Sequence, residues 1–194
     1  MDFYDVVLKR RSVRDFELDQ VPRNALNRVL EAGRWAPSGA NLQPWRFVII
    51  TKPEVKAEIA EICTTYSKAV WKAFTPEIAR FLGSRGGTWD KSYMRTIPIL
   101  IVVCYKVSDE PTSQVALAST WTAIQNILLA AANEDLGSCI YTHASSEEED
   151  ALKQTLAIPR AYHLAAIIQL GYPKTAPPTP PRKRLEEVIS YEHF

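Results

Sequence analysis

The chain has 194 residues, enough to bury a sizeable core, and its 46% apolar and 23% charged side chains are those of an ordinary globular protein. Its 23 basic and 22 acidic side chains leave a net charge of +1, so it lacks the basic excess typical of nucleic-acid binders. Three cysteines and three histidines, scattered and without a C-x-x-C pair, offer no metal site or disulfide framework and point to a reducing, cytoplasmic setting.

Residues 2–10 read as a helix, with Phe3, Val6 and Val7 on neighbouring faces. A charged start of this kind is unlike a signal peptide. The helix runs into "LKRRSVR", where Lys9, Arg10, Arg11 and Arg14 put four cations into six positions. A second helix is expected over 22–35. Pro22 suits its first turn, Ala25, Leu26, Val29, Leu30 and Ala32 form its apolar stripe, and Pro37 stops it. "APSGANLQPW" is a loop by composition, and "RFVIIT" after it a buried strand. Residues 54–62 read as helix. The stretch 63–95 is harder to assign: Tyr66, Trp71, Phe74, Phe81, Trp89 and Tyr93, with a "GSRGG" break, fit a core excursion and a substrate lid equally.

A second strand is expected at 97–105, followed by a long helix over 113–135 that is apolar nearly all round. Such a helix belongs at the centre of a domain or in a subunit interface. No run of 18 uninterrupted apolar residues occurs, so no membrane span is expected. Gly137 is the expected helix stop, "SCIYTH" a third strand, 146–156 a helix with an acidic first turn, and "HLAAIIQLGY" a fourth strand. Five of the nine residues in "PKTAPPTPP" are proline, which makes an extended arm over about 172–194 of the sort that wraps a partner subunit. Without repeats or an internal boundary, the pattern is one α+β domain over 1–194.

Neither G-x-G-x-x-G nor G-x-x-x-x-G-K-[ST] occurs, so any bound phosphate must be held by side chains. Arg10 and Arg11 offer forked donors and Ser12 a hydroxyl, although, taken alone, that cluster is more ordinarily a solvated helix end complementing its dipole. Arg182, Lys183 and Arg184 form a second cluster, and the two can converge on one phosphate. Ser38, Asn41 and Gln43 can address the edge of a heteroaromatic ring or simply satisfy their own turn. Cys63 and Cys139 lack the local signature of a cysteine hydrolase.

"RRSVRDF", "APSGANLQPWRFVII", "DLGSC" and "LGYP…PRKRLEEVI", in this order, resemble the nitroreductase family of FMN-dependent oxidoreductases over nearly the whole chain except about 63–95. The resemblance implies an α+β nitroreductase-like fold, with a mixed central sheet flanked by helices. It also implies an intertwined homodimer with FMN at the interface. Arg10, Arg11 and Ser12 match residues that hold the FMN phosphate and ribityl chain, and Arg14 matches a cation near the flavin N1/O2 edge. Pro37, Ser38, Gly39, Asn41 and Gln43 match the loop that reaches FMN from the partner subunit. Arg182 and Arg184 match a basic pair that closes on the phosphate.

Where many relatives carry a Glu-Gly pair beside flavin N5, this chain has Tyr141, Thr142 and His143. A backbone N–H or the Thr142 hydroxyl is the candidate donor there, and His143 is more ordinarily a solvent-facing loop residue. The implied activity is ping-pong transfer from NAD(P)H through FMN to a nitroaromatic, quinone or similar acceptor, with no metal and no catalytic side chain, since the flavin carries the hydride. Two alternatives stay open. One is the reductive dehalogenase branch, whose lid grips an amino-acid zwitterion and for which Tyr66 and Lys91 are candidates with no acid placed between them. The other is a flavin carrier or sensor without turnover. NADH is not separated from NADPH, nor one-electron from two-electron chemistry.

Overall fold

The computed structural model describes residues 2–84, 88–107, 112–143, 145–175 and 177–194. Arg85, Gly86 and Gly87 of the "GSRGG" break therefore lie outside the described residues. The helices are α1 (Phe3–Lys9), α2 (Arg23–Arg34), α3 (Pro53–Trp71), α4 (Pro76–Gly83), α5 (Thr112–Asn133) and α6 (Ser146–Thr155). The strands are β1 (Trp45–Ile50), β2 (Ile99–Lys106), β3 (Gly137–Tyr141) and β4 (Tyr162–Gly171), in the spatial order β1-β2-β4-β3.

β2 is apolar along its length because both of its faces are covered. Ile99, Ile101, Val103 and Tyr105 face a core built with α2 and α5, while Leu100, Val102 and Cys104 face a second core built with α3 and α6. A bulge after Val103 lets β4 fit an extra residue into the pairing, so Ala165 and Ala166 both join the α5 side. Gly33 lets α2 approach α5 closely, since a Cβ there would meet the Ile127 side chain at 2.7 Å. Half of an 18-residue apolar window within Ser113–Asn133 of α5 is buried.

All three strand pairs are antiparallel. The mixed sheet implied by the resemblance is reduced, among the described residues, to an isolated parallel bridge between Ser12 and Ser138. Only a short segment meets the outer edge of β3, and Val13 N–H donates to the Ser138 carbonyl at 2.9 Å.

Three boundaries differ from the sequence reading. α3 continues past residue 62 to Trp71, because buried Cys63 and Ser67 pack inward where Thr64, Thr65 and Tyr66 weaken helix propensity. α5 is stopped by Asp135, not Gly137. Asp135 takes φ 59°, Leu136 N–H returns to the Ala131 carbonyl at 2.8 Å, and Gly137 already belongs to β3. β3 ends at Tyr141, so Thr142 and His143 leave the sheet. Along the arm, Phe16 forms a bridge to Pro173, and a single 3-10 turn occupies Leu185–Glu187.

Candidate functional site

The basic segment after α1 and the proline arm meet although they stand at opposite ends of the chain. Arg10, Arg11, Ser12 and Arg14 line a cavity of about 720 Å³, and Thr179 and Arg182 of the arm close its other side. Arg11 donates to the Thr179 hydroxyl at 2.7 Å and to the Arg10 carbonyl at 2.8 Å, so it works as a clasp for the arm. Arg10 has its pKa lowered, first by burial and then by the charges of Arg182 and Arg11. Convergent cations that destabilise one another are chemically suited to a dianion such as a phosphate ester. Arg184 is not among them. It is exposed, with Nε 3.2 Å from Glu186 and its backbone N–H on Glu187 at 3.1 Å. The 3-10 turn that starts at Leu185 directs it to these local acids.

Arg14 also borders a second cavity, of about 400 Å³. Trp71 and Phe74 from the end of α3, Tyr93, and Tyr141 from β3 give it aromatic walls. Thr142 and His143 line it where the chain leaves β3. Of the aromatics in 63–95, Trp71, Phe74 and Tyr93 thus reach a cavity, Trp89 lies under Lys68 at 5.2 Å, and Phe81 is exposed. Tyr66 is half-buried on α3 and does not line the cavity.

Behind the Tyr141 wall is a buried polar network. The Tyr141 hydroxyl donates to Glu148 Oε1 at 2.6 Å and lies 2.8 Å from Ser67 Oγ. Glu148 is fully buried, and burial together with Cys63 and Glu148 raises the Tyr141 pKa. Burial also pushes the Cys63 and Cys139 thiols up, which removes the basis for either as a thiolate nucleophile.

The loop after α2 is held on α5. Gly39 N–H donates to Ser119 Oγ at 3.1 Å, and Thr122 Oγ1 to the Pro37 carbonyl at 2.9 Å. Ser38 Oγ accepts from Gln43 N–H at 3.1 Å, and Gln43 Nε2 donates to the Asn41 side chain at 3.2 Å. Ala40, Asn41 and Gln43 all take positive φ, a conformation that non-glycine residues adopt rarely and that costs energy to hold. Within one chain, Pro37, Ser38, Gly39, Asn41 and Gln43 reach neither cavity.

Gln169 was missed as a site residue, and Lys91, a candidate only for the dehalogenase-type lid, lines the second cavity. Gln169 is the single polar residue in the apolar run of β4, a signal legible in "AAIIQLG". It is 1% exposed and donates to the Tyr93 hydroxyl at 3.2 Å. Its Oε1 faces the second cavity's residues without a partner, as does His143 Nδ1.

The two joined cavities fit a cofactor with a phosphate at one end and a flat ring at the other, and FMN has that form. Residues 7–172 match the model of the Nitroreductase family, and the chain belongs to that family of oxidoreductases. It is 31% identical to the iodotyrosine deiodinase of Thermotoga neapolitana over 191 residues, 98% of each chain. It is 28% identical to the putative NAD(P)H nitroreductase YfhC of Bacillus subtilis over 189 residues, 95% of this chain and 93% of that one. The crystal structure of an oxidized iodotyrosine deiodinase bound to FMN and 3-iodo-L-tyrosine superposes with a TM-score of 0.89 at 29% identity, covering 100% of both chains.

Proposed function

We propose that the protein is an FMN-dependent oxidoreductase that passes reducing equivalents from NAD(P)H to a small aromatic acceptor. The observation that carries this reading is the convergence of Arg10 and Arg182 on one cavity, with Arg14 joining it to an aromatic one. Arg10, Arg11, Ser12 and Arg182 would hold the phosphate. Arg14 would hold the negative charge that the reduced ring acquires. Tyr141, Thr142 and His143 would border the ring, with a backbone N–H or the Thr142 hydroxyl as donor. Trp71 and Phe74 would exclude water above it. When bound, FMN supplies the electron-transfer chemistry.

The reading includes a homodimer in which the loop carrying Pro37, Ser38, Gly39, Asn41 and Gln43 completes the partner's site. The exposed apolar surface supports it. Phe3, Tyr4 and Leu8 of α1, Trp35, Leu42 and Val115 are open to solvent, as are Leu185, Val188 and Tyr191 of the arm. Arg184 would then act only after leaving Glu186.

Reductive dehalogenation is the second reading, favoured by the likeness to iodotyrosine deiodinases over the full chain. The test is anaerobic titration of the FMN-loaded protein with NADH, then NADPH, then dithionite, followed by para-nitrobenzoate or 3-iodo-L-tyrosine. Bleaching of the flavin by either nicotinamide and its return on nitrobenzoate is the expected result. Bleaching by dithionite alone, with return on the iodinated compound, would transfer the assignment to the second reading. Failure to take up FMN would overturn both.

A further inference from the structure

A third cavity, of about 730 Å³, shares no lining residue with the two of the candidate site. It lies at the opposite end of α3 from Trp71, where the chain leaves β1 and the segment before β2 passes. Three cations reach it: Lys52 and Lys56 from the start of α3, and Arg95 from that segment. None of the residues lining it is acidic. Asp19 and Glu54, neighbours of lining residues in sequence, are exposed and lie outside it.

Lys56 distinguishes this cluster from a patch of surface charge. It is 7% exposed, and its Nζ donates to the Ile97 carbonyl at 2.7 Å, which uses one of the three ammonium protons. Burial lowers its pKa, and no neighbouring charge offsets that. A buried ammonium without a counter-ion is costly, and an anion entering the cavity relieves the cost. The other groups add to the same field. No side chain caps the first turn of α3, whose Lys52 and Pro53 line the cavity, so the positive end of the helix dipole borders it. Arg95 lies 3.0 Å from Glu61, with the two side chains 48% and 69% exposed. An exposed pair of that kind is worth about 1 kcal/mol or less, so the guanidinium can turn to a stronger anion at small cost.

We propose that the third cavity binds a phosphate monoester, with its dianion held by Lys56, Lys52 and Arg95 and its body laid against Leu18, Val21 and Pro98. Three cations with no lining acid leave a surplus after one carboxylate, whereas a phosphate monoester carries a charge of about −1.5 to −2 at neutral pH. The volume is that of a small-molecule site and exceeds what the inorganic ion alone would fill. The apolar side chains give the remainder of the ligand a surface to cover. The site is separate from the flavoprotein reading and does not depend on it.

The test is calorimetric titration of n-butyl phosphate, inorganic phosphate and n-butyrate into the protein in the presence of excess FMN, which keeps the Arg10 and Arg182 cavity from competing. Butyl phosphate should bind tightest and butyrate weakest. Lys56→Met should weaken butyl phosphate by about tenfold to a hundredfold, the usual worth of a charged hydrogen bond, and leave the Kd for FMN within about twofold. Should that variant fail to fold, Lys52→Ala combined with Arg95→Gln, both at exposed positions, should weaken it by at least about tenfold. Absence of saturable binding, or variants that keep the full affinity, would overturn the proposal. So would butyrate binding as tightly as butyl phosphate, and inorganic phosphate matching the ester would overturn the assignment to an ester. If the chain takes up no FMN, the titration is made in the Arg10→Ala protein, where binding lost on adding Lys56→Met supports the site although the flavoprotein reading falls.

Discussion

The Arg11 guanidinium donates to the Thr179 hydroxyl at 2.7 Å across 168 residues of sequence. Through that contact the C-terminal arm is laid against the segment that follows α1, and Arg182 is delivered next to Arg10. The pairing of two cations is unfavourable without an anion between them, and its energetic consequence can be measured.

Arg10→Ala and Arg182→Ala should each raise the Kd for FMN by about tenfold to a hundredfold, the usual worth of a charged hydrogen bond. The melting temperature of the flavin-free protein should stay level or rise, because each change relieves mutual repulsion. Arg184→Ala compared alongside reports on the dimer: a loss of affinity as large as Arg182→Ala requires Arg184 to swing from Glu186 to a phosphate. Unchanged FMN affinity in both Arg10→Ala and Arg182→Ala would remove the phosphate assignment.

Removing the arm after Tyr172 should destabilise the protein broadly and shift it to a monomer in light scattering. The deletion uncovers the Arg10 region and discards the apolar residues Leu185, Val188 and Ile189. A stable monomer that retains its flavin would contradict the dimer reading.

Gly137→Ala should cost about 1–3 kcal/mol of stability, since its Cβ would stand 2.8 Å from the Val13 Cβ and as close to both Val13 methyls. Val13 lies between Ser12 and Arg14, so the same change should loosen FMN. Adding Val13→Ala should recover part of both losses in thermal melts and flavin titrations. If the double variant is no better than Gly137→Ala, steric crowding is not the cause.

Stability should fall as pH rises above about 8.5, the ordinary thiol value. Burial raises the pKa of Cys63, Cys104 and Cys139, Cys104 to about 11. The folded state therefore keeps protons that the unfolded chain releases, and the stability present below the unfolded value is lost on the way up. Lys56 and Lys91, lowered by burial, work with the opposite sign, because in their window the unfolded chain binds more protons. Each thiol contributes at most about 1.4 kcal/mol per pH unit. A melting temperature that is flat from pH 7 to 10 would refute this balance, and Cys104→Ala should soften the slope.

Local regularities carried most of the fold into the sequence. Alternation and apolar runs marked β1, β2 and β4, and the stripe of α2 and the apolar α5 were legible because burial repeats with the period of the element. The basic run and the polar loop were legible as chemistry, since forked cations and side-chain amides have few partners. Other features depend on residues distant in sequence and had no local signature. Gly137 looks like a helix stop but Asp135 closes α5, and the glycine answers a distant contact instead: Val13, far back in the chain, occupies the space that a Cβ at Gly137 would need. The clasp between Arg11 and Thr179 brings Arg182 to a shared cavity, while the 3-10 turn at Leu185 turns Arg184 to Glu186. Lys91 comes to line the aromatic cavity only because packing brings the Tyr141 ring within 5.6 Å of its Nζ. The sequence by itself determined the elements and the kinds of group available. Only the tertiary structure decided which of them meet, because unpaired charge and excluded volume are properties of the space between segments.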